Sequence, residues 1–302
     1  MKPTISPHSS NSTSASSSLA ADEPQGKQKP SSGYSPAPYH PPPSSAPLKE
    51  LVPLGLSAPF RWLLLGWRDM VASKGIALFY GFCFWFMAVI LRAVFNNAPE
   101  YTMSIASGCL LVGPFLAMGL YEVSRQRELG QVPDLVHSLT CWDSHLGSMG
   151  MLVLVLVVLE LLWGRASLVV FAVFFNTGMP STEGVLKAVF NPENWEFLAV
   201  YLAVGGVFAS LVYTTAAVSI PMILDRDTDA ISAAITSFQV VLENTAVMVL
   251  WGLLITLLVV LALLPWGAGL LILGPWLGHA SWHAYRGSVR WLPENPEAAP
   301  AA

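Results

Sequence analysis

Charged side chains are scarce in this sequence. They make up 11% of its 302 residues, and hydrophobic residues make up 54%, whereas an average soluble domain is roughly 25% charged. So few charges cannot cover a globular surface, and much of the surface must therefore face something other than water. The net charge of -4, with no stripe of basic residues, gives no indication of a nucleic-acid partner.

Cysteines and catalytic motifs are also sparse. The three cysteines, Cys83, Cys109 and Cys141, are an odd number without metal-ligand spacing, so no disulfide framework is expected. The sequence contains no phosphate loop of the Walker form, no Gly-x-Ser-x-Gly, no His-Glu-x-x-His and no Cys-x-x-Cys. These absences make an enzyme the less favoured class.

Composition divides the chain into three parts. Residues 1–53 hold eleven of the 23 prolines and a Ser/Thr/Asn run, and they lack the apolar material that would offset the entropy of ordering. We predict a disordered Ser/Pro-rich tail there, a helical membrane domain over residues 54–292, and a short disordered tail over 293–302.

Long apolar runs are the strongest positive signal. Six stretches approach the ~20 residues that cross a ~30 Å hydrocarbon layer. They are Ile76–Phe95, Met103–Val123, Gly147–Ser167, Phe197–Pro221, Thr245–Leu264 and Gly267–Tyr285. The predicted fold class is therefore an all-α membrane protein with six transmembrane helices, arranged as three hairpins.

An amphipathic helix is predicted before each hairpin. Phe60–Lys74 repeats apolar residues at i, i+3, i+4 and i+7, a second helix opens near Pro133, and a third begins at Ala230 with Asp229 as its cap. Such helices are suited to the membrane interface, with the apolar face in the lipid. The sequence thus indicates an internal repeat of one interfacial helix and two spans.

Basic residues predict the orientation. Of the 15 lysines and arginines, only Arg92, Arg165 and Lys187 fall on one side of the six spans, and the other twelve fall on the opposite side. By the positive-inside rule both termini are cytoplasmic. An even number of spans requires the same result.

One motif occurs twice. Gly113-Pro114 and Gly274-Pro275 are each followed by an aromatic residue seven positions after the proline and by an arginine eleven positions after it. The aromatic residues are Tyr121 and Trp282, and the arginines are Arg125 and Arg286. Pro221, Asp225 and Arg226 form a further block, whose acids could solvate and cap a helix or could coordinate a cation.

Four residues are candidate ligand or proton-handling groups. His279 and His283 are four apart on one helix and could anchor it at the interface, bind a metal or haem iron, or handle protons. Glu160 lies well inside a span, where a carboxylate must be paired, protonated or wet. We expect Glu160 to face the bundle and either to pair with Arg92 or to bind a proton, and the alternative is an outward shift of the helix.

These blocks resemble a bacterial family of predicted integral membrane proteins, catalogued as domain of unknown function 2189. The residues that carry the resemblance are Ser219–Arg226, Gly278–Arg286 and the segment from Gly113 to Arg125. The resemblance implies a multi-pass inner-membrane protein and no particular activity. Some members are labelled as cytochrome c oxidase subunits, but a catalytic oxidase subunit needs several histidines deep in its spans, and this sequence has none there.

Three functions remain open from the sequence. The first is a non-enzymatic scaffold or assembly component that contacts lipid and binds membrane-protein partners or further copies of itself. The second is a small-solute permease, suggested by Glu160. The third is a haem-binding accessory subunit of a respiratory complex, suggested by His279 and His283; otherwise no cofactor is predicted.

Overall fold

A computed structural model of the protein describes residues 49–98, 101–175 and 194–292. About 84% of these residues are helical. The helices are α1 (Ala58–Ala72), α2 (Lys74–Asn97), α3 (Thr102–Glu128), α4 (Leu135–Thr140), α5 (Leu146–Phe174), α6 (Trp195–Ala216), α7 (Ser219–Arg226), α8 (Ala230–Glu243), α9 (Thr245–Leu263) and α10 (Leu270–Ser288). A 3₁₀ helix (Asp143–His145) and two short strands, β1 (Lys49–Leu51) and β2 (Val289–Trp291), are also present.

Five stretches are long and apolar enough to cross a membrane. They contain α2, α3, α5, α6 and α9, and at most 28% of any apolar window is buried. The helices therefore turn most of their apolar surface outward, as at Leu253 and Leu257 of α9, which are 62% and 55% exposed. Such a surface is suited to lipid, in which apolar side chains need no protein cover. The sixth predicted span corresponds to α10, which does not meet the same criterion.

Helix α10 is the centre of the packing. It contacts α1, α2, α3 and α9, and its buried side includes Trp282 and Tyr285. The crossing with α1 is tight, because a Cβ atom placed on Gly66 would come within 2.5 Å of the backbone nitrogen of Ala280. Small residues at such crossings allow helix backbones to approach closely.

Helix α6 ends earlier than predicted. The expected span Phe197–Pro221 is interrupted, since α6 stops at Ala216 and α7 starts at Ser219. Pro221 lies in the first turn of α7, where the missing N–H has no helical partner to lose. The backbone N–H of Val218 at the break donates to Ser237 Oγ of α8 at 3.1 Å.

The N-terminal tail prediction was wrong for residues 49–53. Lys49–Leu51 pairs antiparallel with Val289–Trp291, and Val52 donates to the Ser288 carbonyl at 3.0 Å. Asn244 Oδ1 then accepts from the Leu54 N–H at 2.8 Å. The remainder of the predicted N-terminal tail and the predicted C-terminal tail lie outside the described residues.

The α1–α10 crossing generates a stability prediction. Gly66→Ala should lower the Tm of the detergent-purified protein, because the clash with Ala280 costs about 1–3 kcal/mol and exceeds the helix-propensity gain of about 1 kcal/mol. Gly75→Ala in α2 is the matched control, since a Cβ there meets nothing within 4 Å, and its Tm should stay level or rise. Equal Tm changes in the two variants would contradict the close crossing.

Candidate functional site

The two copies of the sequence motif face each other. The first copy lies on α3 and the second on α10, and these helices pack together. Pro114 and Pro275 are both inside their helices, and Tyr121 and Trp282 are both buried. Trp282 Nε1 donates to Glu128 Oε2 of α3 at 3.0 Å. The motif is therefore part of a helix–helix interface.

Asp225 of α7 lies between the two motif arginines. Arg286 Nη1 is 3.6 Å from Asp225 Oδ2, and Arg125 Nε is 3.9 Å from Oδ1. The neighbouring Arg226 Nε is 3.4 Å away, and the Tyr285 hydroxyl donates to Oδ2 at 2.6 Å. Arg286 also holds Glu128, with Nη2 at 2.7 Å from Oε1. One carboxylate thus links the helix ends of α3, α7 and α10.

Asp69 makes a second link, which sequence reasoning missed. His283 Nε2 lies 2.8 Å from its Oδ2, and Arg127 Nε donates to Oδ1 at 2.9 Å. Burial alone would raise the pKa of Asp69, but hydrogen bonds from His283, Arg127 and Ser124 outweigh it and lower this pKa to about 2. A carboxylate held in this way ties α1 to α3 and α10.

We call the end of the bundle that carries Arg125, Arg127, Arg226 and Arg286 the basic end. A cavity of about 540 Å³ opens there, lined by Glu122, Arg125, His137, Cys141, His145, Asp225 and Asp227 among others. Glu122 is 1% exposed and accepts from Arg125 at 2.9 Å and Gln126 at 3.0 Å, with His137 Nε2 at 3.2 Å. The charges of this cavity are therefore largely satisfied within the protein.

His279 and His283 have different environments. His279 is fully buried, and its Nδ1 lies 2.8 Å from Ser124 Oγ, whereas its Nε2 has no hydrogen-bond partner among the described residues. His283 is held by Asp69. Within the described ranges, no group of three or more His, Cys, Asp or Glu side chains could hold a metal ion. His279 Nε2 could accept or donate a further hydrogen bond, but it is buried without solvent access.

Glu160 and Arg92 do not pair. Glu160 Oε2 accepts a hydrogen bond from Ser107 Oγ of α3 at 2.7 Å. The Arg92 guanidinium instead lies over the Trp266 ring, 5.9 Å from its centroid. The predicted ion pair was therefore wrong, because Trp266 and Ser107 are nearer partners that the order of residues in the chain did not indicate.

The acidic block after Pro221 has two roles. Asp229 caps α8 as predicted, with its Oδ2 accepting from the Ser232 N–H at 2.9 Å. Asp227 adopts a left-handed conformation with φ of 49° at the end of α7, which lets the chain turn into α8. The missed residues Glu122 and Glu128 had one usable signal, since each is an acid near a span end that also carries arginines. Asp69 had a weaker signal, because it lies in the predicted interfacial helix next to Arg68.

Several apolar helices of spanning length define this chain as a multi-pass integral membrane protein. Residues 101–225 match the model of the family described as "Predicted integral membrane protein (DUF2189)", which confirms the resemblance over α3 to α6 and nearly all of α7. The matched segment contains the first copy of the motif together with Asp225. No curated protein and no solved structure matches the chain.

The Asp69 link generates a pH-dependent prediction. Asp69→Asn should cost about 1–3 kcal/mol near pH 7, because two charged hydrogen bonds are weakened. A depressed carboxyl pKa stabilises the fold above the unfolded value near 3.9, and this stabilisation is lost as the pH falls towards about 2. The Tm gap between wild type and variant should therefore be full at pH 5–7 and shrink below about pH 4.

The control is Asp143→Asn. Asp143 is exposed and forms no ion pair among the residues that the structure describes, so its replacement should change stability by less than about 0.5 kcal/mol. A Tm gap for Asp69→Asn that does not depend on pH would contradict the charged link.

Proposed function

We propose that this chain is a non-enzymatic scaffold or assembly component of the bacterial inner membrane. The observation that carries the proposal is the network at the basic end, where carboxylates hold histidine and arginine side chains of neighbouring helices. Asp69, Asp225 and Glu128 each hold histidine or arginine side chains from other helices. Groups so engaged fix the positions of helices and are poorly placed to act on a substrate.

The proposed topology has six spans and cytoplasmic termini. It is supported by the pairing of β1 with β2, which brings both ends of the described chain together and so favours an even number of crossings. Arg92 lies near the C-terminal end of α2, and Lys74 begins the helix at the other end. The positive-inside rule expects most basic residues on the cytoplasmic side, so the proposed topology places Lys74 on that side and Arg92 on the other. On this topology α10 is the sixth span.

The proposed repeat is supported by two equal helix junctions. Ser73 separates α1 from α2 with φ −117° and ψ 41°, and Asn244 separates α8 from α9 with φ −117° and ψ 38°. Both preceding helices carry apolar residues at the same offsets, all exposed except the half-buried Phe238: Phe60, Leu64, Trp67 and Val71 in α1, and Ile231, Ile235, Phe238 and Leu242 in α8. The short α4 would be the third, reduced copy.

An apolar groove beside α8 is the proposed partner surface. It has a volume of about 550 Å³ and is lined by α5, α6 and α8, mostly with apolar side chains. Ile235 and Leu242 on its rim are 53% and 70% exposed. A membrane helix of a protein partner could insert side chains there, because packing of apolar side chains drives helix association in lipid.

Co-purification tests this proposal. Full-length protein extracted in mild detergent should carry a membrane-protein partner in a fixed ratio, measured by a mass-spectrometric inventory of proteins, lipids and cofactors. Ile235→Ser with Leu242→Ser should lower the partner's yield about tenfold, whereas Leu253→Ser with Leu257→Ser on the outer face of α9 should not. Wild-type protein that repeatedly purifies alone would contradict the scaffold role.

A permease is the second candidate, favoured by the Glu160–Ser107 hydrogen bond between two apolar helices. A scaffold predicts that Glu160→Gln keeps wild-type abundance and wild-type cellular phenotype, because an amide oxygen can still accept from Ser107. A proton-coupled permease predicts normal abundance with lost transport, because the amide cannot bind and release a proton. The haem accessory role predicts Soret absorbance in the purified protein, and a scaffold predicts none after haem addition.

A further inference from the structure

The exposed faces of α1 and α8 differ in charge. Their apolar stripes have the same spacing, but α1 carries Arg61 and Arg68 about a quarter-turn from its stripe. The equivalent positions of α8, 171 residues later, are Ser232 and Gln239. Two helices with matching apolar faces are thus distinguished by a pair of arginines on one edge.

Arg61 and Arg68 are available to a ligand. Both side chains are exposed, and neither forms an ion pair with any of the described residues. This sets them apart from Arg125, Arg127 and Arg286, which carboxylates hold at the basic end. Lys74, three residues past the end of the stripe, is also exposed and forms no ion pair in the same described ranges.

A cavity lies beside Arg61. It has a volume of about 410 Å³ and is lined by Arg61, Trp62 and Leu65 of α1 together with His283, Arg286 and the chain leading into α1. His283 and Arg286 already contact carboxylates, at Asp69 and Glu128. Arg61 therefore supplies the uncompensated positive charge at this cavity.

We propose that the outer edge of α1 binds anionic phospholipid headgroups, with Arg61 and Arg68 contacting the phosphates and Phe60, Leu64, Trp67 and Val71 lying among the acyl chains. The inference rests on the proposed topology, in which α1 lies at the membrane surface. Basic residues beside an apolar stripe match the charge and depth of anionic headgroups. A zwitterionic headgroup has no net charge, so the arginines should attract it less than an anionic one. Helix α8 has no arginines, and we expect it to bind the two kinds of headgroup equally.

Lipid selectivity of the full-length protein tests the proposal. The probes are dioleoylphosphatidylglycerol and dioleoylphosphatidylcholine, added to detergent-purified protein, with retained lipid counted by native mass spectrometry and stability followed as Tm. Wild type should retain phosphatidylglycerol in preference to phosphatidylcholine. Arg61→Gln with Arg68→Gln should weaken phosphatidylglycerol binding roughly 25-fold, at about 1 kcal/mol for each arginine, and leave phosphatidylcholine unaffected.

Two further variants localise the effect. Arg290→Gln removes an exposed arginine of β2, away from the stripe, and should leave lipid retention unchanged. Ser232→Arg with Gln239→Arg should create the selectivity on α8. Without added lipid, the Arg61/Arg68 variant should keep the wild-type Tm, because neither arginine forms an ion pair with a residue that the structure describes.

Three outcomes would overturn the proposal. The first is equal retention of the two lipids by wild type. The second is an equal loss of phosphatidylglycerol in Arg290→Gln and in the Arg61/Arg68 variant, which would indicate nonspecific charge attraction. The third is loss of a dimer or a bound protein in the Arg61/Arg68 variant with lipid retention unchanged, which would assign this face to a protein partner. A reporter that places α1 away from the cytoplasmic membrane surface would instead refute the proposed topology, without testing the lipid selectivity.

Discussion

Two carboxylates, Asp69 and Asp225, hold the helix ends of this protein together. In lipid, apolar contact between helices brings little advantage over contact with acyl chains, so the arrangement of a bundle depends on close crossings and on polar links. Asp69 joins α1 to α3 and α10, and Asp225 joins α7 to α3 and α10. Both gather their partners at the basic end, where charges can remain near water and cost less than at mid-membrane.

The repeated motif gains a physical meaning from these links. Its proline interrupts helical hydrogen bonding where α3 and α10 pack, and its aromatic residue is buried at the interface. Its arginine, four residues beyond the aromatic, reaches the end of the helix and approaches Asp225 from either side. The block Pro221–Arg226 supplies the shared acid, so three segments that were separate in the sequence form one polar network.

The sequence predicted the helices better than their contacts. Apolar runs identified α2, α3, α5 and α9 to within several residues, and α5 extends beyond Ser167 because apolar residues continue to Phe174. The partner of Glu160 could not be predicted, because chain order gives depth in a span but not the rotation of neighbouring helices. Asp69 was missed for a related reason: it shares a helix face with Trp62 and Met70, which is buried only because α10 packs there.

The contact between the two ends of the described chain constrains the topology most strongly. Strand β1 was assigned to a disordered tail because its neighbours are rich in proline and serine, yet three residues sufficed to pair with β2. That pairing joins the segment before α1 to the segment after α10. Both segments must then lie on the same side of the membrane, which requires α10 to be a span if the other five helices are. An odd number of crossings would place these two strands on opposite sides of the membrane.

A reporter fused directly after Arg290 tests this account most directly. With six spans and the basic end in the cytoplasm, a fluorescent protein at that position should fluoresce, and alkaline phosphatase at the same position should be inactive. Active phosphatase and a dark fluorescent protein would place the end of α10 in the periplasm and contradict the account.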